Sequence, residues 1–387
     1  MVALPRRFYP WLWAMLLVAG CRAPEVIPSG LTASPETAVP ATHVNPPTAA
    51  AANLNPDPEP TPDMWQPGCQ SDSSPEFTAP ITDLSKIDFI SPIGVVTHSI
   101  IQHSYIWIGR DSGGEAYEVP VYAPVDSKLT SAAYYVQPME DEAGDLIQVK
   151  HYLLRFEVSC EVTYKLDHID RLVDRLAAVV PASPSESSRT SEIRPPLALE
   201  AGELIGYTTG TITAHNWDFG VYNTSHSNRF ANQARYEADR DLDASLHADC
   251  PYDYFPDELR IQFYALLPNE DCGSASQDQL GTLAGTWFAE RGFDLERVGP
   301  ELIVGRTRVP SGEFIIVRGE SAEIRVYSGQ MTFANPAEIT GRHCYQTSQG
   351  PPRFAYLDLR SELELAVAFG DGTCPTILPG GYDLYYR

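Results

Sequence analysis

From Thr78 onward the chain is a succession of short runs rich in β-branched and aromatic residues, each cut off by Gly, Pro or Asp. "IDFISPIGVVTHSIIQHSYIWIG", "YEVPVYAPVDSKLTSAAYYV", "HYLLRFEVSCEVTYKL" and "GELIGYTTGTITAHNWDFGVYN" are the clearest. Such residues fit a half-buried pleated surface and the breakers fit turns, so the pattern predicts a mainly β protein. In "LDHIDRLVDRLAAVV", by contrast, Leu166, Ile169, Leu172, Val173, Leu176 and Val179 recur at helical spacing, which predicts an inserted helix. The Ser/Pro-rich "PASPSESSRTSEIRPP" follows as an exposed loop, and "PDELRIQFYALL" predicts a short helix with Pro256 in its first turn. The polar "GSASQDQ" after Cys272 marks a boundary between a first folded domain, 78–272, and a C-terminal all-β domain, 280–387. The latter alternates in "EFIIVRG", "SAEIRVYSG" and "AYLDLRSELELAVAFGDG", as expected of a small antiparallel barrel or sandwich.

The segment before these runs cannot build a core. Residues 22–77 are Pro, Ala, Thr, Ser and Asn with few large apolar side chains, and predict an extended, disordered tether. Residues 1–21 carry Arg6 and Arg7 and then an apolar run from Phe8 to Ala19, too short for a bilayer span but suited to export. Val18-Ala19-Gly20-Cys21 resembles a bacterial lipobox, which implies lipidation at Cys21 and a protein anchored to a membrane outside the cytoplasm.

With Cys21 set aside, six cysteines remain, an even number that suits disulfides in an exported chain. Cys344 with Cys374 is the favoured pair because both lie in the C-terminal segment. Cys250 with Cys272 is the next, and Cys69 with Cys160 is left. A net charge of −24 argues against nucleic acid as a partner.

No GxSxG, HExxH, Walker-type loop or GxGxxG run occurs. What does occur, in order, is "VPVYAPVDSKLTSA", "TYKLDHI", "LEAGELIGYTTG" and "WDFGVYN". This series resembles the lysostaphin-type, LytM-like zinc metallopeptidases over about residues 93–223, with "VYAP" and "AGELIG" as its most specific pieces. The resemblance implies a LytM-like (duplicated hybrid motif) β-rich domain with a groove, a zinc ion, and cell-wall peptides as the material acted on.

In that family zinc is held by His and Asp of an early His-x-x-x-Asp element and by the second His of a closing His-x-His, with two further histidines assisting. Transferred by position, His103 falls at the first ligand, whereas Trp107 stands where the Asp belongs. Asp218 takes the place of the last ligand, Asn216 that of one assisting histidine, and His168 that of the other, the catalytic candidate. Catalytic zinc usually needs three protein ligands. His103 and Asp218 supply two, and a third would come from His98, His168 or Asp111. His98 and His103 are five apart and point to opposite faces of a straight strand. His215 reads as solvent-facing loop.

With two ligand positions altered, the expectation is a lipid-anchored envelope protein whose degenerate LytM-like domain binds a cell-wall peptide or glycan, or an envelope protein, without catalysis. The alternatives are a zinc metalloendopeptidase with a reassigned site and a structural tether without a groove ligand. In the C-terminal domain, Gly285-Thr286-Trp287 on the first strand and Arg387 after the last are similar to lipocalin-like barrels, where the cation stacks on the indole.

Overall fold

The computed structural model describes residues 69–387, except 98, 142, 239, 290–301, 310–311, 320–321 and 348–349. The expected signal peptide, the lipidation site Cys21, most of the tether, and His98 lie outside the described residues.

The chain is mainly β, in several antiparallel sheets. Its N-terminal part contributes β1 (Ile87–Ser91), β2 (Ser104–Ile108), β3 (Val119–Tyr122), β4 (Ser127–Glu140), β5 (Leu146–Glu157), β6 (Val162–Ile169), β7 (Arg171–Leu172), β8 (Ser191–Leu199), β9 (Leu204–Thr208), β10 (Asn216–Asn223) and β11 (Ala248–Asp249). The main sheet runs β1-β2-β10-β6-β5-β4-β8, with β11 also paired to β10. A second sheet, β3-β9-β7, shares its core: Val119, Val121, Leu172 and Ile205 pack with Leu154, Phe156, Leu166, Trp217 and Phe219.

"VYAP" and "AGELIG" meet in this second sheet, where Val121 pairs with Gly206 and the Ala123 amide donates to the Glu203 carbonyl. Gly206 has a steric reason, since a Cβ there would come within 2.1 Å of the Arg171 carbonyl oxygen on β7.

The predicted helix over 166–179 is not formed. Its first residues continue β6, Arg171 and Leu172 form β7, and only α1 (Asp174–Ala177) is helical. The cause lies at His168, whose backbone adopts φ 63°. That left-handed residue interrupts the alternation of β6, so Leu166 and Ile169, three apart, both enter the core. A bulged strand has reproduced helical spacing, and its ladder bonds to β5 and β10 outweigh helix propensity. The Ser/Pro loop is likewise shorter than expected. Ser191–Leu199 pairs with β4 at the sheet edge, where the prolines Pro195 and Pro196 are tolerated.

Three helices follow: α2 (Gln233–Ala238), α3 (Arg240–His247) and α4 (Asp257–Tyr264). α4 is the helix expected from "PDELRIQFYALL"; Pro256 sits at its N-cap, and Asp257 and Glu258 favour its positive end.

The C-terminal part has its own core and comprises β12 (Gly285–Trp287), β13 (Leu302–Val309), β14 (Gly312–Gly319), β15 (Glu323–Tyr327), β16 (Arg342–Gln346), β17 (Arg353–Ser361), β18 (Glu364–Asp371) and β19 (Asp383–Tyr386). Among the described residues they form two four-stranded sheets, β12-β13-β14-β15 and β16-β17-β18-β19, joined at one edge by a bridge between Phe288 and Tyr386, and no closed barrel is formed among them, which corrects the barrel option. Both sheets supply the core, with Trp287, Val304 and Val317 meeting Leu357, Leu365 and Val367. The expected cation–indole stack is present: the Arg387 guanidinium lies 3.7 Å from the Trp287 ring centre. Its Nη1 donates to the Gln279 carbonyl at 3.1 Å, and Nη2 donates to the Ala284 carbonyl. Burial pushes the Arg387 pKa down to about 10, with Asp278 opposing the shift.

The two parts are sealed by a small apolar cluster of Val96, Ile100, Ile303 and Ile316. The Gln277 side chain reinforces it by donating to the Gly94 carbonyl at 2.6 Å and accepting from the Arg306 amide at 2.7 Å. All three cysteine pairs expected from the sequence are formed, with Cα–Cα separations of 5.2 Å for Cys69–Cys160 and 5.9 Å for Cys250–Cys272 and Cys344–Cys374.

Candidate functional site

Strand β10 lies between β2 and β6 and is buried along its whole length. In an antiparallel pair, residues directly opposite share a face. Asp218 is opposite Tyr105 on β2 and Asp167 on β6, and Gly220 is opposite Lys165. Trp217, Phe219, Ile106, Tyr164 and Leu166 occupy the other face and enter the core. The core side therefore orients a polar side made of His103, Lys165, Asp167 and Asp218.

His103 gains its place through Gly220. A Cβ at that position would lie 3.0 Å from the His103 Cβ and 2.9 Å from the Tyr222 hydroxyl. Glycine lets β2 bring the imidazole directly over β10.

The centre of the cluster is an ammonium group. Lys165 Nζ lies 3.1 Å from Asp218 Oδ2, 3.4 Å from His103 Nδ1 and 3.9 Å from Asp167 Oδ2. His103 Nε2 is itself 2.9 Å from Asp218 Oδ2. A lysine donating to Nδ1 requires the tautomer with its proton on Nε2. His168 Nε2 stands 3.9 Å from the other carboxylate oxygen, Asp218 Oδ1. Tyr135 connects the remaining members, donating to Asp167 Oδ1 at 2.8 Å with its oxygen 3.4 Å from His168 Nδ1. His151, fully buried, packs its ring edge-on against His168 at 4.9 Å and places Nδ1 3.5 Å from Asp170 Oδ1.

Burial is nearly complete: His103, Lys165 and Asp167 are 6–7% exposed and Asp218 is 3% exposed. The charges respond to one another. Burial lowers the His103 pKa, partly offset by Asp218. For Asp218 burial opposes the charge, but His103, Lys165 and His168 outweigh it and hold the carboxyl well below the usual range. Burial likewise opposes the charge on Lys165, yet Asp218, Tyr222 and Asp167 raise its pKa above that of a free lysine. Burial and the neighbouring Asp167 raise the Tyr135 pKa.

His103, His168 and Asp218, the three residues selected from the sequence, thus converge. The other candidates among the described residues do not join them. Asp111 is exposed, and its Oδ1 accepts the amides of Gly113 and Glu115 within its own turn. Trp107 stacks on Phe89 at 4.9 Å and donates to the Ser91 hydroxyl. Asn216 accepts from the Thr211 hydroxyl at 2.8 Å, closing the 211–216 turn. His215 occupies that turn, half-buried and with φ 51°, rather than facing solvent.

Lys165, Asp167, Tyr135 and His151 were not selected from the sequence. In "TYKLDHI" a lysine and an aspartate alternate with apolar residues, which is also the pattern of an ordinary solvated strand face.

Asp167, His168 and Asp218 each offer a ligand atom, and these atoms lie within 4.8 Å of one another, so the group could hold a metal ion. The arrangement as it stands suits a divalent ion poorly. Lys165 already supplies a positive charge beside Asp218 and Asp167, and His103 and Lys165 both face the same Asp218 oxygen. Comparison with known proteins gives no matching family model, no matching curated protein and no matching solved structure.

Proposed function

We propose that the protein is a lipid-anchored component of a cell envelope whose N-terminal β domain is a non-catalytic relative of the LytM-like peptidases, binding a cell-wall peptide or glycan or a partner protein. The observation that carries this reading is the Lys165 ammonium between His103 and Asp218. Water activation at zinc needs an ion with an open coordination position, and here an internal cation takes the contacts such an ion would make. The pairing of "VYAP" with "AGELIG" supports the kinship, because the two most specific pieces of the resemblance are neighbours in one sheet. The disulfides support an oxidising compartment.

The test is co-sedimentation of the detergent-purified full chain with cell-wall sacculi, run beside an assay for release of wall peptides. Binding without release is expected. Release that is lost in His168→Ala would establish a peptidase instead.

One observation favours that second reading: the Asp167, His168 and Asp218 donors converge and would form a zinc site if Lys165 withdrew. Stoichiometric zinc in the wild-type chain would decide in its favour.

A further inference from the structure

The main polar cluster contains two carboxylates on one rung of the sheet, Asp167 and Asp218, and a single ammonium, Lys165. Asp218 Oδ1 is buried without a hydrogen-bond partner, and His168 Nε2 stands 3.9 Å from it. Imidazole nitrogens and carboxylate oxygens together suit zinc and similar divalent ions. The cluster therefore has the donors of a metal site and, within it, a side chain carrying half the charge of a divalent ion.

We infer that Lys165 is a built-in counter-ion, and that removing its ammonium converts the cluster of Asp167, His168 and Asp218 into a binding site for one divalent cation. The inference rests on the non-catalytic reading above and explains how that state is maintained. The lysine is part of β6, so its effective concentration at the site exceeds that of any free ion. It also balances one carboxylate without requiring an unfilled coordination position. Removing it leaves the Asp167 and Asp218 carboxylates and the His168 imidazole with ligand atoms within 4.8 Å of one another, and a divalent ion then meets no competing ammonium.

The test uses the full chain with zinc alone as the probe. Lys165→Ala and Lys165→Met are each dialysed against zinc-buffered solution and assayed by elemental analysis and thermal unfolding. Each is expected to retain about one zinc per chain and to melt at a higher temperature with zinc than with chelator. Affinity should be about 100-fold or more above that of the wild type. Adding Asp218→Ala to either variant should abolish the uptake.

If a variant is unfolded without metal, zinc should restore its folded circular dichroism. Failure of zinc to do so overturns the inference. So does a folded variant that takes up none, or a wild-type chain that binds zinc as tightly as the variants. Sacculus binding by the wild type is a separate readout, so failure of the wall-binding proposal is distinguishable from failure of the lysine one.

Discussion

Asp218 on β10 and Asp167 on β6 are direct cross-strand partners, two carboxylates facing each other across one rung of a buried sheet. Like charges in that relation repel. The pair persists because Lys165 reaches back to both, at 3.1 and 3.9 Å. The polar character of the whole site follows from this relationship.

Lys165→Met should therefore be strongly destabilising in the presence of a chelator, by about 3–5 kcal/mol, the usual effect of removing one partner of a buried pair. Adding Asp218→Asn should recover a large part of the loss. Urea unfolding of the four proteins of the cycle measures both. Additive losses would mean that Lys165 and Asp218 do not interact energetically.

Gly220→Ala places a methyl group against the His103 Cβ and the Tyr222 hydroxyl. Overpacking at such a contact is expected to destabilise by about 1–3 kcal/mol. The same change should shift the His103 imidazole resonances by NMR while leaving those of His343, in the C-terminal part, in place. Unperturbed His103 resonances would show that β2 and β10 are not held this closely.

Arg387→Ala removes the stack on Trp287 and the guanidinium's hydrogen bonds to the Gln279 and Ala284 carbonyls, which keep backbone donors from Thr282 and Gln279. A loss of about 2–4 kcal/mol is expected. Calorimetry should show the C-terminal part melting earlier, with Arg387→Lys intermediate. An unchanged melting curve would remove the structural role assigned to this residue.

Alkaline pH should unfold the protein through its buried tyrosines. Burial raises the pKa of Tyr135, Tyr164, Tyr252 and Tyr345. In the unfolded chain tyrosine loses its proton near pH 10. The stabilisation is thus fully present below about pH 10 and declines as pH rises above it, by about 1.4 kcal/mol per pH unit for each tyrosine still protonated in the fold. Urea midpoints measured from pH 8 to 11 check the slope, and Tyr164→Phe should flatten it by one proton's worth. A flat profile would contradict the buried placement of these hydroxyls.

Much of the architecture is legible in local pattern. Alternating β-branched and aromatic runs announced a mainly β chain, "PDELRIQFYALL" announced α4, and the polar stretch after Cys272 precedes the second core. The three disulfides follow the order of the chain because each joins cysteines neighbouring in the sequence of six. The misreading at 166–179 is equally physical. A left-handed His168 shifts a strand's phase, and its buried positions then imitate those of a helix.

The sequence by itself determined that most of this chain would be antiparallel sheet, because side-chain shape and alternation act over a few residues. It also singled out His103, His168 and Asp218. Only the tertiary structure decided what those residues do. The register of β10 against β2 and β6 brings together side chains from three separate segments, and Gly220 allows the close approach. Lys165 and Asp167 look in sequence like the exposed side of a strand. They become the buried centre of the site only when that side is covered, because the strength of a charge interaction depends on exclusion of water, which no local pattern encodes.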